Sequence, residues 1–272
     1  MVIAGRVVLI HGFWSSSATW DGLARVLEAD PKLADFSWHR YGYPSPKLWV
    51  PLMPLRTPDY DDIAQALGSF LDALVPEGGG LAFVTHSQGG LILQRYLAWM
   101  LDEGRGQDLA RIRSILMLAC PHEGSDYLRS LRTAAGFGFH PQGKTLRQFD
   151  VSIAAARRKV LTQIVNATKV SARECPIPVH VYAGDRDNVV KRVSAQGTFP
   201  KAGVLPGGHS SIIDPELAGS TTAATISRHL VADFSATPPP SPAAPSGPGR
   251  GPVTITGSSG FQVGDNNIQV NS

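Results

Sequence analysis

Two cysteines in 272 residues exclude a disulfide framework, and Cys120 and Cys175 stand too far apart to form a metal-binding knuckle. Cys120 ends an apolar run, so both read as free thiols in a reducing compartment. No apolar stretch reaches membrane-spanning length, and the N-terminus enters an apolar strand pattern without a charged-then-apolar leader. A soluble, cytoplasmic protein is the expectation. Charge is also scarce, at 17% of residues and a net +3, which is too little for a nucleic-acid binder that has no interleaved basic and aromatic residues. The local cluster Arg157, Arg158 and Lys159 reads as a solvated helix face, with an anionic membrane surface as the alternative. With 43% hydrophobic residues, the chain can bury one substantial core and still carry a tail.

Within that core, strand signals fall near 6–11, 36–41, 81–86, 112–119, 178–184 and 202–205. They alternate with helical periods near 19–29, 60–75, 88–103 and 215–233. Such alternation predicts an α/β fold with a mostly parallel central sheet and helices on both faces. Two stretches break the repeat. Residues 42–58 are rich in Pro, Trp and Leu, and residues 125–175 carry helical patterns and many basic residues. The apolar and aromatic residues of the first, Tyr43, Leu48, Trp49, Val50, Leu52 and Met53, are candidates for an apolar substrate mouth. A proline-stiffened surface loop fits 42–58 equally well.

The most informative segment is Leu81-Ala82-Phe83-Val84-Thr85-His86-Ser87-Gln88-Gly89-Gly90. An apolar strand meets a serine and then a helical pattern. A strand that reverses straight into a helix strains its turn residue, needs small residues two places to either side, and exposes the serine oxygen. Thr85 and Gly89 occupy those places; threonine stands where glycine is usual, yet is small enough for the turn to close. The free N–H groups of the following helix would face negative charge developing at Ser87.

An acid and a base follow in the order such a serine requires. Val179 to Gly184 reads as a buried strand running into Asp185-Arg186-Asp187, where a carboxylate can reach the back of an imidazole. The spacing of Gly184, Asp187 and Val190 favours Asp187, with Asp185 the nearby alternative. His209 lies on the glycine-rich loop Pro206-Gly207-Gly208-His209 after a short strand, so its order and setting make it the base. His86 reads as a packed neighbour of Ser87, His180 as a structural strand residue and His122 as a residue following a strand end. An oxyanion hole needs two backbone donors. Gln88 offers one, and the strand ending Ile10-His11-Gly12-Phe13 offers the Phe13 N–H, with His11 steadying that loop and Trp14 beside it.

On these residues the chain resembles an α/β-hydrolase, and within that superfamily a lipase-like serine hydrolase, over most of residues 1–235. The stretch Pro121-His122-Glu123-Gly124-Ser125 is similar to the Pro-His-x-Gly-Ser run of intracellular lipase-like and GPI-deacylase-like enzymes. That resemblance implies an acyl-lipid or ester substrate, with Trp14, Tyr43, Trp49, Pro121 and His122 as substrate-binding candidates, and it implies lids at 42–58 and 125–175, where such enzymes carry them. It implies no metal and no organic cofactor.

Residues 1–236 are thus read as the hydrolase domain, and 237–252, nearly all Pro, Gly, Ala and Ser, as an extended linker. Residues 253–272 would be a disordered tail in isolation. Their alternating β-branched, aromatic and amide residues, with almost no charge and no proline, nonetheless suit cross-β stacking of many copies. Phe261-Gln262-Val263-Gly264 with Ile268-Gln269-Val270 resembles amyloid signalling motifs related to the RIP homotypic interaction motif. That likeness implies self-assembly, or recruitment by a receptor bearing a matching motif, in immune or cell-death signalling.

Overall fold

A computed structural model describes residues 5–12, 15–43, 60–74, 79–121, 143–188, 199, 202–217 and 220–237, and the backbone of strands at 253–254, 261–264 and 267–270. The chain divides into two compact units, Met1–Pro240 and Ser241–Ser272.

In the first unit, β1 (Gly5–Ile10), β2 (Phe36–Tyr41), β3 (Gly80–His86), β4 (Ile112–Leu118), β5 (Val179–Gly184) and β6 (Ala202–Leu205) form one sheet. Its order is β2-β1-β3-β4-β5-β6, and every neighbouring pair is parallel. The helices are α1 (Asp21–Glu28), α2 (Tyr60–Leu74), α3 (Gln88–Asp102), α4 (Gly143–Val160) and α5 (Ser220–Ser235). This is the α/β-hydrolase fold expected from the sequence. The order in which strands are added reverses between β1 and β3, and a crevice at the carboxyl ends of strands at such a point is where ligands bind in open α/β sheets.

Because the sheet is covered on both faces, its strands are apolar in both phases of the alternation. Val8, Ile10 and Phe83 pack with Leu67 and Leu71 of α2 and Leu93 and Leu97 of α3. Val7, Leu9, Ala82 and Val84 pack on the other face with Leu23 and Leu27 of α1 and Ile226 and Leu230 of α5. Among the described residues, no helix is long and apolar enough to cross a membrane.

Helix α4 and the π-helical turn Leu161–Val165 after it fall in the segment where the resemblance implies a lid. Ile153, Ala156, Val160 and Ile164 are buried on one stripe, and Val160 and Ile164 are 0% exposed within the first core cluster. Burying such a side chain contributes about 1.5–3 kcal/mol. Lifting this stripe would forfeit several such terms, so Ile153, Ala156, Val160 and Ile164 belong to the core; residues 122–142 lie outside the described residues.

The sharp step from β3 to α3 takes a single residue. Ser87 sits at φ 52° and ψ −124°, and Ala119, just past β4, is also left-handed at φ 49°. Cross-strand hydrogen bonds hold both: the Ser87 N–H donates to the Leu118 carbonyl at 3.0 Å and the Ala119 N–H to the Tyr182 carbonyl at 2.8 Å. Thr85 is accommodated because space has been cleared opposite it. A Cβ on Gly90 would lie 3.2 Å from Thr85 Oγ1 and 2.4 Å from Cys120 Sγ. Cys120 is buried against this turn, which pushes its thiol up to about 12 and keeps it un-ionised.

The second unit pairs β7 (Val253–Thr254), β8 (Phe261–Gly264) and β9 (Asn267–Val270) in an antiparallel sheet of order β7-β8-β9. Gln262 stands opposite Gln269, and Val263 opposite Ile268. The segment read as a disordered tail therefore has strand pairing at these positions, consistent with its β-branched alternation.

Gly90→Ala should cost about 1–3 kcal/mol through overpacking, and Cys120→Ala should recover part of that loss. Urea denaturation of wild type, both single variants and the double variant measures the coupling; purely additive effects would mean that this contact is not the cause.

Candidate active site

Ser87, Asp187 and His209 come from three separate turns at the carboxyl end of the sheet. Ser87 caps β3, Asp187 follows β5, and His209 follows β6. His209 Nε2 lies 2.9 Å from Ser87 Oγ, and His209 Nδ1 lies 3.1 Å from Asp187 Oδ2. A carboxylate only accepts, so Nδ1 carries the ring proton and the Nε2 lone pair faces the serine hydroxyl. The Asp187 side chain is 0% exposed and that of His209 is 21% exposed. The acid is thus shielded and the imidazole partly open, while Ser87 at the other end of the series is 5% exposed.

The loop that carries His209 is tied down at several points. Asp185 Oδ1 accepts from the Gly207 N–H at 2.8 Å and lies 3.4 Å from Arg186 Nε. Of the two acids left open by the sequence, Asp187 reaches the imidazole and Asp185 holds the backbone of the histidine loop. Ser211 Oγ accepts from the Gly208 N–H at 2.7 Å.

His86 does more than pack. Its Nε2–H donates to the His209 backbone carbonyl at 2.7 Å, which joins the nucleophile strand to the base's own residue. Its Nδ1 has no hydrogen-bond partner among the described residues. Burial, reinforced by the nearby His209, pulls the His86 imidazole down to about 4. Nothing in the sequence around His86 signals this contact, because its acceptor is a carbonyl 123 positions away.

On the other side of Ser87 lies the loop after β1. Gly12 approaches so closely that a Cβ there would fall 2.8 Å from Ser87 Cβ. His11 is 1% exposed and its Nδ1–H donates to the Gly12 carbonyl at 2.9 Å. Gln88 is the first residue of α3, where a backbone N–H has no acceptor inside the helix. Tyr43, expected in the substrate mouth, is 8% exposed and hydrogen-bonded to His11. Pro121 is buried just beyond β4. Phe13, Trp14, Trp49 and His122 lie outside the described residues. Among the described residues, no group of three or more His, Cys, Asp or Glu side chains is arranged to hold a metal ion.

A model of the alpha/beta hydrolase family matches residues 7–218, and the chain belongs to that family. No curated protein matches it significantly. Among solved structures it is similar to YbtT, a type II thioesterase from the yersiniabactin NRPS/PKS biosynthetic pathway, at 17% identity over 85% of this chain and 94% of that one, with a TM-score of 0.50. It is also similar to the esterase domain of a Rhodothermus marinus protein, at 15% identity over 85% and 87% with a TM-score of 0.49. A third, the RedJ thioesterase of the prodiginine pathway in Streptomyces coelicolor, gives 18% identity over 85% and 90% with a TM-score of 0.48. Identities this low speak of the fold alone.

The His86 environment has a pH signature. Unfolded, its imidazole takes up a proton near 6.5; folded, it does so only near 4. The unfolded state binds more protons between these values, so stability falls as pH drops from about 6.5 to 4 and levels off below. His229, lowered to about 4 mainly by burial, acts in the same direction. An NMR titration should show the His86 ring proton moving near pH 4; movement near 6.5 would contradict the burial account.

Proposed function

We propose that this chain is a serine ester hydrolase acting on acyl lipids, with the C-terminal segment serving to recruit it into an assembly during immune or cell-death signalling. The observation that carries the enzymatic part is the hydrogen-bonded series Ser87, His209, Asp187 at a strained strand-to-helix turn.

In this reading Ser87 Oγ attacks the acyl carbonyl carbon as His209 Nε2 removes its proton. Asp187 keeps Nδ1–H oriented and stabilises the imidazolium. The Gln88 N–H, at the positive end of α3, and the Phe13 N–H hold the oxyanion. His209 then gives its proton to the departing alcohol oxygen. Water, deprotonated by the same imidazole, attacks the acyl-enzyme and frees the acid together with Ser87. Because the imidazole must accept a proton, this chemistry needs the neutral form of His209.

Support for a lipid substrate comes from the apolar, aromatic stretch 42–58 and from the Pro121-His122-x-Gly124-Ser125 likeness to lipase-type enzymes. Support for assembly comes from the pairing of Gln262 with Gln269 and Val263 with Ile268. Stacked copies would extend such amide and apolar positions into ladders. Strands of two and four residues lie at or below the short end of the usual range, so stacking with a second copy or a matching receptor motif would add the pairing this sheet lacks.

The test is fatty-acid release from mixed phospholipid vesicles by the full-length protein, Ser87→Ala and Gln262→Pro/Gln269→Pro, with and without preformed fibres of the tail peptide. Release that needs Ser87, and that fibres enhance in wild type but not in the proline variant, supports both parts. Ser87-dependent cleavage of soluble short-chain esters without vesicle release would replace the lipid by a small ester. Equal release with and without fibres would remove the assembly step.

A further inference from the structure

The phenol of Tyr43 has no part in the steps above, yet it stands between the two segments that would supply the oxyanion donors. Its hydroxyl lies 2.8 Å from the His11 carbonyl oxygen and 3.3 Å from Gln88 Oε1. Its ring stacks on the His11 imidazole, with centroids 4.2 Å apart and planes within 2°. A phenol has one proton, and the nearer acceptor is the His11 carbonyl. The phenol therefore donates chiefly to the His11 carbonyl, with Gln88 Oε1 as a second, longer acceptor, so that one hydroxyl spans both segments.

The loop after β1 has need of such a tether. Gly12 has no side chain with which to anchor itself, because it must approach Ser87 too closely to carry one. The Gly12 carbonyl is engaged by His11 Nδ1, and His11 is in turn clamped by the Tyr43 ring and hydroxyl. Tyr43 is itself fixed by burial and by Tyr41, two residues earlier, whose ring centroid is 6.0 Å away and whose hydroxyl donates to the Ile63 carbonyl of α2 at 3.0 Å. A rigid line therefore runs from α2 through β2 to the loop beside the nucleophile.

We propose that Tyr43 is a positioning residue for the oxyanion hole: it fixes the spacing between the His11–Gly12 segment and the first turn of α3 without touching substrate. Oxyanion stabilisation depends on donors held in place before charge develops. A loop that drifts by a fraction of an ångström loses that benefit while binding the ground state as before. The proposal rests on the serine-hydrolase reading, and it reassigns a residue whose sequence setting suggested an acyl-binding wall.

The test compares full-length wild type with Tyr43→Phe, which keeps the ring stack and removes the hydroxyl. A chromogenic acyl ester serves as substrate, an alkyl boronic acid as tetrahedral mimic, and fluorophosphonate titration counts the active sites. The expected result is a fall in kcat of about tenfold per active site, with KM changed less than about twofold and boronic-acid affinity weakened in proportion to kcat/KM. Gln88→Met, which keeps the backbone N–H, should give a smaller loss that is not additive with Tyr43→Phe. That pair of variants also covers poor folding of either one. A changed KM or acyl-chain preference with unchanged boronic-acid affinity would make Tyr43 a substrate wall and overturn the proposal. Unchanged kinetics in both variants would overturn it too. Absence of any reaction with fluorophosphonate in wild type would instead sink the serine-hydrolase reading, and the role of Tyr43 with it.

Discussion

The backbone of Ser87 is held where an L-residue is uncomfortable, and most of the architecture around it exists to keep it there. A non-glycine residue in such a region costs about 1–3 kcal/mol and persists only when its surroundings over-determine it. Here the surroundings are a central strand, β3, flanked on both sides by parallel partners, with the Ser87 N–H bonded to Leu118 and its carbonyl accepting from the Gly90 N–H at 3.1 Å. The neighbouring chain end repeats the device, since Ala119 shares the left-handed conformation and is bonded to Tyr182. The strain lifts the serine hydroxyl out of the sheet edge and aims it at His209.

From that turn the polar connections radiate in two directions. Toward β5 and β6, Asp185 and Ser211 fix the histidine loop through backbone N–H groups, and His86 fixes it through the His209 carbonyl. Toward β1 and β2, Tyr43 and His11 fix the glycine loop that lies against Ser87. Two of the imidazoles near the serine therefore act as structural hydrogen-bond groups, and one faces the serine hydroxyl. The distinction is set by partners and direction: His86 and His11 each donate to a carbonyl, whereas His209 is backed by a carboxylate and turns Nε2 toward the serine hydroxyl.

Much of this was legible in the sequence because the signals are local. The inner strands β1, β3 and β4 are largely apolar runs, whereas the edge strand β2 (Phe36–Tyr41) is marked by aromatic residues interspersed with polar ones. The serine turn betrays itself by a small residue on each side, and the acid and histidine by their places after strands. What escaped was non-local. The stretch 125–175, read as a place for a lid, includes Ile153, Ala156, Val160 and Ile164, which recur at the 3-4-4 spacing of one buried stripe. Tyr43 drew its substrate-mouth reading from proline-rich and aromatic neighbours at 42–58, and its hydrogen bonds leave no local mark. Its partners, His11 and Gln88, belong to other strands and helices, and only the fold brings them to it. Ala119 carries no local mark of its left-handed backbone.

The most direct measurement is peptide mapping by mass spectrometry after the full-length protein has reacted with a fluorophosphonate. The account predicts one adduct per chain, carried on Ser87 and formed fast at neutral pH. An adduct on a different residue, or none in a folded protein, would contradict the claim that the strained turn at Ser87 presents an activated nucleophile.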